Sequence, residues 1–187
     1  MAHPAALVRK LVRRIRSEHG FTLVELLAVM AMLSLVLTGV ISLYISGVST
    51  QANLTASFQA QTALHVGMDK MRKDVHLACS QTAQSATSVT LSDPPCDGTN
   101  LVTWCTRGSG SAYSLYRVSG STSTGGVDFA DYLTGGSIFS YLAQNVTAGS
   151  NALPRLHVDT TVNATPVSGA TGYRVTDDLV FRNGVRL

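Results

Sequence analysis

Charge is scarce in this chain: of its 187 residues only 13 % are Asp, Glu, Lys or Arg, and aromatics make up 6 %. A polar but weakly charged surface, rich in Ser, Thr and Gly, suits a segment that works outside the cytoplasm. Proline is missing between Pro4 and Pro94, so no residue in that long stretch breaks a helix by removing a backbone donor. No CxxC pair and no Cys–His spacing accompanies the three cysteines, which removes the usual zinc signatures. His65 and His76 stand eleven positions apart, about 16 Å along a helix, too far to share an ion. Asp159, Asp177 and Asp178, or Asp93 and Asp97, offer oxygen ligands, but no loop carries a calcium spacing. Neither a metal nor a cofactor is therefore expected. The serines and histidines form no nucleophile elbow and no recognisable triad, and an enzyme is not expected.

What charge there is lies unevenly. Residues 1–20 hold Arg9, Lys10, Arg13, Arg14 and Arg16 against Glu18, a net of +4 in a chain of net +3, so the rest sums to −1. The basic character belongs to this short leader and gives no case for nucleic-acid binding. A basic cluster before an apolar segment reads as the cytoplasmic flank of a membrane helix.

The apolar segment follows at once. From Leu23 to Ile45 the only formal charge is Glu25, and the run exceeds the roughly 20 residues needed to span a bilayer. It is too long for a cleaved secretory signal, no Ala-x-Ala site ends it, and no cysteine follows closely enough for lipoprotein processing. Beyond it Val48, Leu54, Phe58, Leu64, Met68, Met71, Val75 and Leu77 recur mostly at spacings of three, four or seven, a helical period. One helix from about Phe21 to about Ser80 is expected, on the order of 90 Å long at 1.5 Å per residue. Asp69, Lys70, Arg72, Lys73 and Asp74 read as a solvated face, with Asp69 and Lys73 as an i,i+4 pair.

After Ser80 the period changes. Residues 88–91, 100–106, 112–118, 137–143, 154–159 and 172–183 are short, β-branched and aromatic, and turn clusters such as 93–98 and the Ser/Thr/Gly run 119–126 separate them. They read as strands of an antiparallel sheet, with Trp104, Tyr113, Tyr116 and Tyr141 packing it. The sheet needs a cover for its apolar face, and the outer half of the helix is the candidate. The expected class is α+β. Its layout is a leader at 1–20, a transmembrane helix at 21–45, an amphipathic continuation at 46–80 and a β-rich head at 81–187. The cysteines Cys79, Cys96 and Cys105 all lie beyond the anchor, where two can pair in an oxidising compartment. The proline-bearing turn at 93–98 favours Cys96 with Cys105, and Cys79 is the rival partner.

Gly20-Phe21-Thr22-Leu23-Val24-Glu25 sits between the basic leader and the apolar run. Gly20 has no side chain, so a membrane-embedded protease can bring its catalytic groups close to the bond before Phe21. Glu25 is a carboxylate at the head of a membrane helix, a costly placement that is usually paired or functional. A stabilising interaction with its own helix N-terminus is worth about 0.3–1 kcal/mol.

The segment GFTLVELL resembles the cleavage and methylation motif of type IV prepilins and type II secretion pseudopilins. That resemblance implies cleavage between Gly20 and Phe21 by a prepilin peptidase and N-methylation of the new Phe21 amine. It also implies a salt bridge from Glu25 to the Phe21 amine of a neighbouring subunit. The implied partners are other pilins, the peptidase, a membrane assembly platform and its ATPase. The implied location is the cytoplasmic (inner) membrane, with the leader inside and the head outside, and then a pilus or pseudopilus.

The helix end, residues 68–79, resembles that of the J-type minor pseudopilins and W-type minor pilins, where an Arg/Lys–Asp pair precedes a short apolar end. Val102-Thr103-Trp104, Leu115-Tyr116-Arg117 and Val180-Phe181-Arg182-Asn183 resemble strands those proteins place in the same order. Glu25 itself argues against the tip subunit of the K type, which characteristically lacks it. The expected role is a minor subunit that initiates or caps the filament. The alternatives are a DNA- or surface-binding receptor on the same anchor, a major pilin-like subunit, or an anchored exported enzyme.

Overall fold

The computed structural model describes residues 22–147, 150–165 and 172–183. The chain divides into two compact units, residues 1–49 and 50–187. One helix, α1 (Leu23–Leu77), contributes to each.

In the first unit the described residues are helical from Leu23 onward, and every side chain is exposed. Its mean hydropathy reaches 2.5 over an 18-residue window, so α1 is long and apolar enough to cross a membrane. Hydroxyls along it bond back to the helix's own carbonyls. Ser34 Oγ donates to the Ala31 carbonyl at 2.8 Å and Thr38 Oγ1 to the Ser34 carbonyl at 2.7 Å, as a helix in hydrocarbon requires.

The second unit is the tail of α1 against a β-sheet. The strands are β1 (Ser80–Gln84), β2 (Ser88–Ser92), β3 (Leu101–Ser109), β4 (Ala112–Ser119), β5 (Val127–Leu133), β6 (Phe139–Leu142), β7 (Asn145–Thr147), β8 (Ser150–Ala152), β9 (Arg155–Val162) and β10 (Tyr173–Val180). Their order in the sheet is β1-β2-β3-β4-β5-β9-β10, with β6 also on β9 and β7–β8 a separate ribbon. All pairings are antiparallel, so the α+β architecture of one long helix on an antiparallel sheet is observed. The six segments expected as strands correspond to β2, β3, β4, β6, β9 and β10. β1, β5 and the β7–β8 ribbon were not anticipated.

Ala60, Leu64, Gly67, Met68, Met71, Asp74 and Val75 form the buried face of α1. They meet Leu91, Trp104, Leu115, Leu133, Leu156 and Val158 in one core. The apolar stripe read from the sequence is thus only partly a packing face: Leu64, Met68, Met71 and Val75 are buried, whereas Leu54, Phe58 and Leu77 are exposed. Gly67 lets the helix come close to β5, since a Cβ there would stand 3.2 Å from the Phe129 Cβ.

Strand β3 is buried on both faces, from Val102 to Thr106. Trp104 faces the helix. Thr103 and Cys105 face the opposite way, beneath the Ser/Thr/Gly loop between β4 and β5. Thr103 Oγ1 donates to the Gly120 carbonyl at 2.7 Å, and the Arg107 guanidinium donates to the Gly125 carbonyl. The loop returns through Gly126 at φ +92°, where a Cβ would strike the Arg117 carbonyl at 2.4 Å.

The structure corrects the cysteine pairing. Cys79 is bonded to Cys96 with Cα atoms 5.6 Å apart, and Cys105 is a buried free thiol. The physical reason is strand polarity. Cys79 leaves the helix with its N–H on the Ser92 carbonyl at 2.8 Å, beside the turn that carries Cys96. Cys105 sits opposite Ser88 and Tyr116, at the other end of that strand pair and under the loop.

Candidate functional site

Two places hold side chains with chemistry beyond packing. The first is the start of α1. Thr22 caps it: its carbonyl accepts from the Glu25 and Leu26 amides at 3.0 and 3.2 Å, and its Oγ1 lies 3.3 Å from the Glu25 nitrogen, which donates to it. Glu25 occupies the third position of the first turn, where a carboxylate meets the positive end of the helix dipole. It is exposed and has no cation within 4 Å among the described residues. Gly20 and Phe21, the expected cleavage and methylation residues, lie outside the described residues. Thr22 was overlooked as a functional residue. The signal was present in the sequence, since Thr-x-x-Glu before an apolar run is a capping-box spacing.

Residues 15–41 match the prokaryotic N-terminal methylation motif. No curated protein and no solved structure matches the chain. The motif and the apolar helix together support a membrane-anchored subunit of type IV pilin-like or pseudopilin kind.

The second place is at the helix–sheet contact of the outer unit. Asp74 is 2 % exposed, a placement that requires partners for its charge. It has three. Arg117 Nε stands 2.6 Å from Oδ2, Trp104 Nε1 donates to the same oxygen at 3.1 Å, and Lys70 Nζ lies 3.0 Å from Oδ1. Helix, β3 and β4 each contribute one member, so the cluster fixes where the sheet sits on the helix.

The reading of residues 69–74 as a uniformly solvated face is therefore corrected: burial of Asp74 follows from a donor and a cation delivered 30 and 43 residues later. The expected Asp69–Lys73 pair is likewise replaced. Asp69 pairs with Arg72 at 2.6 Å, and Arg72 also bridges to Asp177 on β10 at 2.6 Å.

Apart from Asp93, the acidic residues considered for calcium are engaged otherwise. Arg174 grips Asp159 with two bonds of 2.8 and 2.6 Å, and these hold the Asp159 carboxyl below the usual range. Arg155 and His157 both reach Asp178, at 3.2 and 2.6 Å. In the turn after β2, Thr99 donates to Asp97 and keeps it low. Burial pushes the Asp93 carboxyl up, with the nearby Asp74 charge adding to it. Of the aromatics expected in the sheet, Trp104 is fully buried, Tyr113 and Tyr141 pack on the core, and Tyr116 lies under the Arg107 guanidinium at 4.1 Å.

Proposed function

We propose that this chain is a minor pilin or pseudopilin: a non-enzymatic filament subunit that helps initiate or cap a type IV pilus or type II secretion pseudopilus. In this reading the basic leader, residues 1–20, holds the chain on the cytoplasmic side of the inner membrane. A prepilin peptidase cuts between Gly20 and Phe21, and the Phe21 amine is methylated. An assembly platform driven by its ATPase then moves α1 out of the bilayer into the filament, with residues 81–187 as the exported head. Glu25 receives the Phe21 amine of the neighbouring subunit and sets the axial register.

The observation that carries this reading is Glu25 itself. It is the sole charge among the described residues from Thr22 to Met68, it lies inside the matched motif, and no cation of the described chain neutralises it. A carboxylate in apolar surroundings that has only its helix dipole calls for a cation from beyond the described residues. A receptor for nucleic acid has less support, because Arg72, Arg117, Arg155 and Arg174 on the head are all held in ion pairs.

The test is Glu25→Gln. Insertion and head folding depend on the apolar run and the outer core, so they should be unchanged, and N-terminal mass spectrometry should still find a chain beginning at methylated Phe21. Recovery in sheared filaments should fall by two or more orders of magnitude, since breaking one partner of a poorly solvated ion pair costs about 3–5 kcal/mol. Full recovery of the variant would leave Glu25 with a helix-dipole role only. Uncleaved Met1 in cells with an active peptidase would overturn the processing step.

A further inference from the structure

Beside α1, on its β5 side, the outer unit carries an apolar cleft that nothing described above uses. One lobe, about 370 Å³, has Ala56, Ala60 and Ala63 on one wall and residues 128–132 on the other. The adjoining lobe, about 520 Å³, runs between Phe58, Val66 and Phe129. Its ridge is large and open: Phe58 is 69 % exposed and Val66 55 %. The cleft exists because the sheet parts here. β5 pairs with β4 along its length but reaches β9 only through Leu133 opposite Val162, leaving the other edge of residues 127–131 without a strand among the described residues.

The rim is acidic, and among the described residues its acids, like Asp93 and Asp97 in the turn after β2, lack the ion pairs that hold the remaining acids of the outer unit. Asp69, Asp74, Asp159, Asp177 and Asp178 each have a cation within 4 Å. Asp128 and Asp131, which line the cleft, have none among the described residues; Asp131 has the Ser114 hydroxyl at 2.5 Å. Partial burial and the Asp131 charge push the Asp128 carboxyl up, which fits two acids set close together with no counter-charge. The cleft thus offers apolar walls with an unneutralised acidic pair at the lip.

We propose that this cleft is the seat of an amphipathic helix from a different pilin-like subunit, one with a lysine or arginine beside its apolar stripe. The proposal rests on the assembly reading above. A helix fits better than an added strand. The β4–β5 register is irregular and Tyr132 has φ +64°, so the open edge is not a regular ladder for a new strand. The small residues Ala56, Ala60 and Ala63 instead let a second helix approach α1 closely. A second copy of this chain is a poorer occupant. Among the described residues its Lys70, Arg72, Arg117, Arg155 and Arg174 are already in ion pairs, and Arg107 is held by Gly125 and Tyr116; its free helical lysine, Lys73, stands beside Met71 and Val75, which are already buried in its own core.

The test uses the full chain in its own cells, with the photoreactive residue p-benzoylphenylalanine in place of exposed Gln59, which lines both lobes, or of Gln84 on β1 as control. Illumination at Gln59 should give an adduct whose peptide maps to a Lys- or Arg-bearing helix of another subunit with the same N-terminal motif. Gln84 should not give that adduct. Asp128→Lys with Asp131→Lys should cut its yield at least tenfold, and reversing the charge of the partner's mapped Lys or Arg to Asp should restore it. Both aspartates are exposed, so the head should fold unchanged, checked by the Trp104 emission. An adduct to a second copy or to a protein lacking the motif would overturn the proposal, as would a yield indifferent to the charge reversal. No adduct from a chain still found in sheared filaments would overturn the cleft and leave the assembly reading standing. A cleaved but unaltered chain absent from filaments would overturn both.

Discussion

Removing the Asp74 carboxylate should unfasten the sheet from the helix. In Asp74→Ala, Arg117 keeps a charge whose side chain is only 23 % exposed, and Trp104, fully buried, loses the acceptor for its ring N–H. Breaking a buried ion pair from one side costs about 3–5 kcal/mol, and an orphaned buried donor about 1–3 kcal/mol. The two share one oxygen and do not add, so about 4 kcal/mol is the expected loss, near three decades in the folding constant. A domain of this size is stable by only about 5–15 kcal/mol, so the variant would sit close to its threshold. Asp74→Asn retains an oxygen for Trp104 and should lose clearly less.

The assay is urea unfolding of the oxidised full chain in detergent, read by far-ultraviolet circular dichroism and by Trp104, the single tryptophan in the sequence. If Asp74→Ala lies within about 1 kcal/mol of the parent, or no lower than Asp74→Asn, the cluster is ornamental and the reasoning fails.

The remaining predictions concern the turn after β2. Non-reducing peptide mapping should find Cys79 joined to Cys96 and Cys105 alkylated only after unfolding; a Cys105-linked peptide would refute the arrangement. Replacing both bridged cysteines by serine should cost about 3 kcal/mol, the chain-entropy value for a closed loop of this length. Asp93 has a raised carboxyl, a buried Oδ1 without a partner among the described residues, and an ordinary value of 3.8. For an acid raised in the folded state, folding loses stability as pH climbs through the window above 3.8, and the penalty is complete above the folded value. Asp93→Asn should therefore stabilise the head modestly at neutral pH, with the gain fading below the unfolded value; an unchanged pH profile would count against it.

How far the sequence reveals this molecule depends on whether the deciding residues are neighbours. The apolar run and the capping motif are local signals, so α1 and its membrane character were legible. So were β3 and β4, whose β-branched and aromatic residues alternate. β1 was not, because Ser80–Gln84 is a Ser/Gln/Thr/Ala stretch held by pairing with β2 rather than by its own pattern. β5 hid for a different reason: Val127–Leu133 places acids among its apolar residues, the feature that makes it a cleft wall. Asp74 sits in a run of mixed charge that reads as solvated, and only the arrival of Trp104 and Arg117 from β3 and β4 makes it a core residue. Those two lie in the very fragments, Val102-Thr103-Trp104 and Leu115-Tyr116-Arg117, that carry the resemblance to minor subunits. The bridge failed for want of register. A turn can be seen in the sequence, but which end of a strand pair a helix terminus meets cannot.

The parting of the sheet between β5 and β9 also bears on the order in which the head forms. From β1 to β5 every neighbouring pair is consecutive in sequence, so each closes only a short loop. β9 has its extended pairings with β6 and β10, its nearer partners in sequence, and joins β5 at one residue pair. The meander β1–β5 can thus settle on α1 one strand at a time, beginning beside the helix end. The β9–β10 ribbon closes the far side through contacts distant in sequence, which are the slower kind to form, its Asp177 reaching Arg72 across 105 residues of chain.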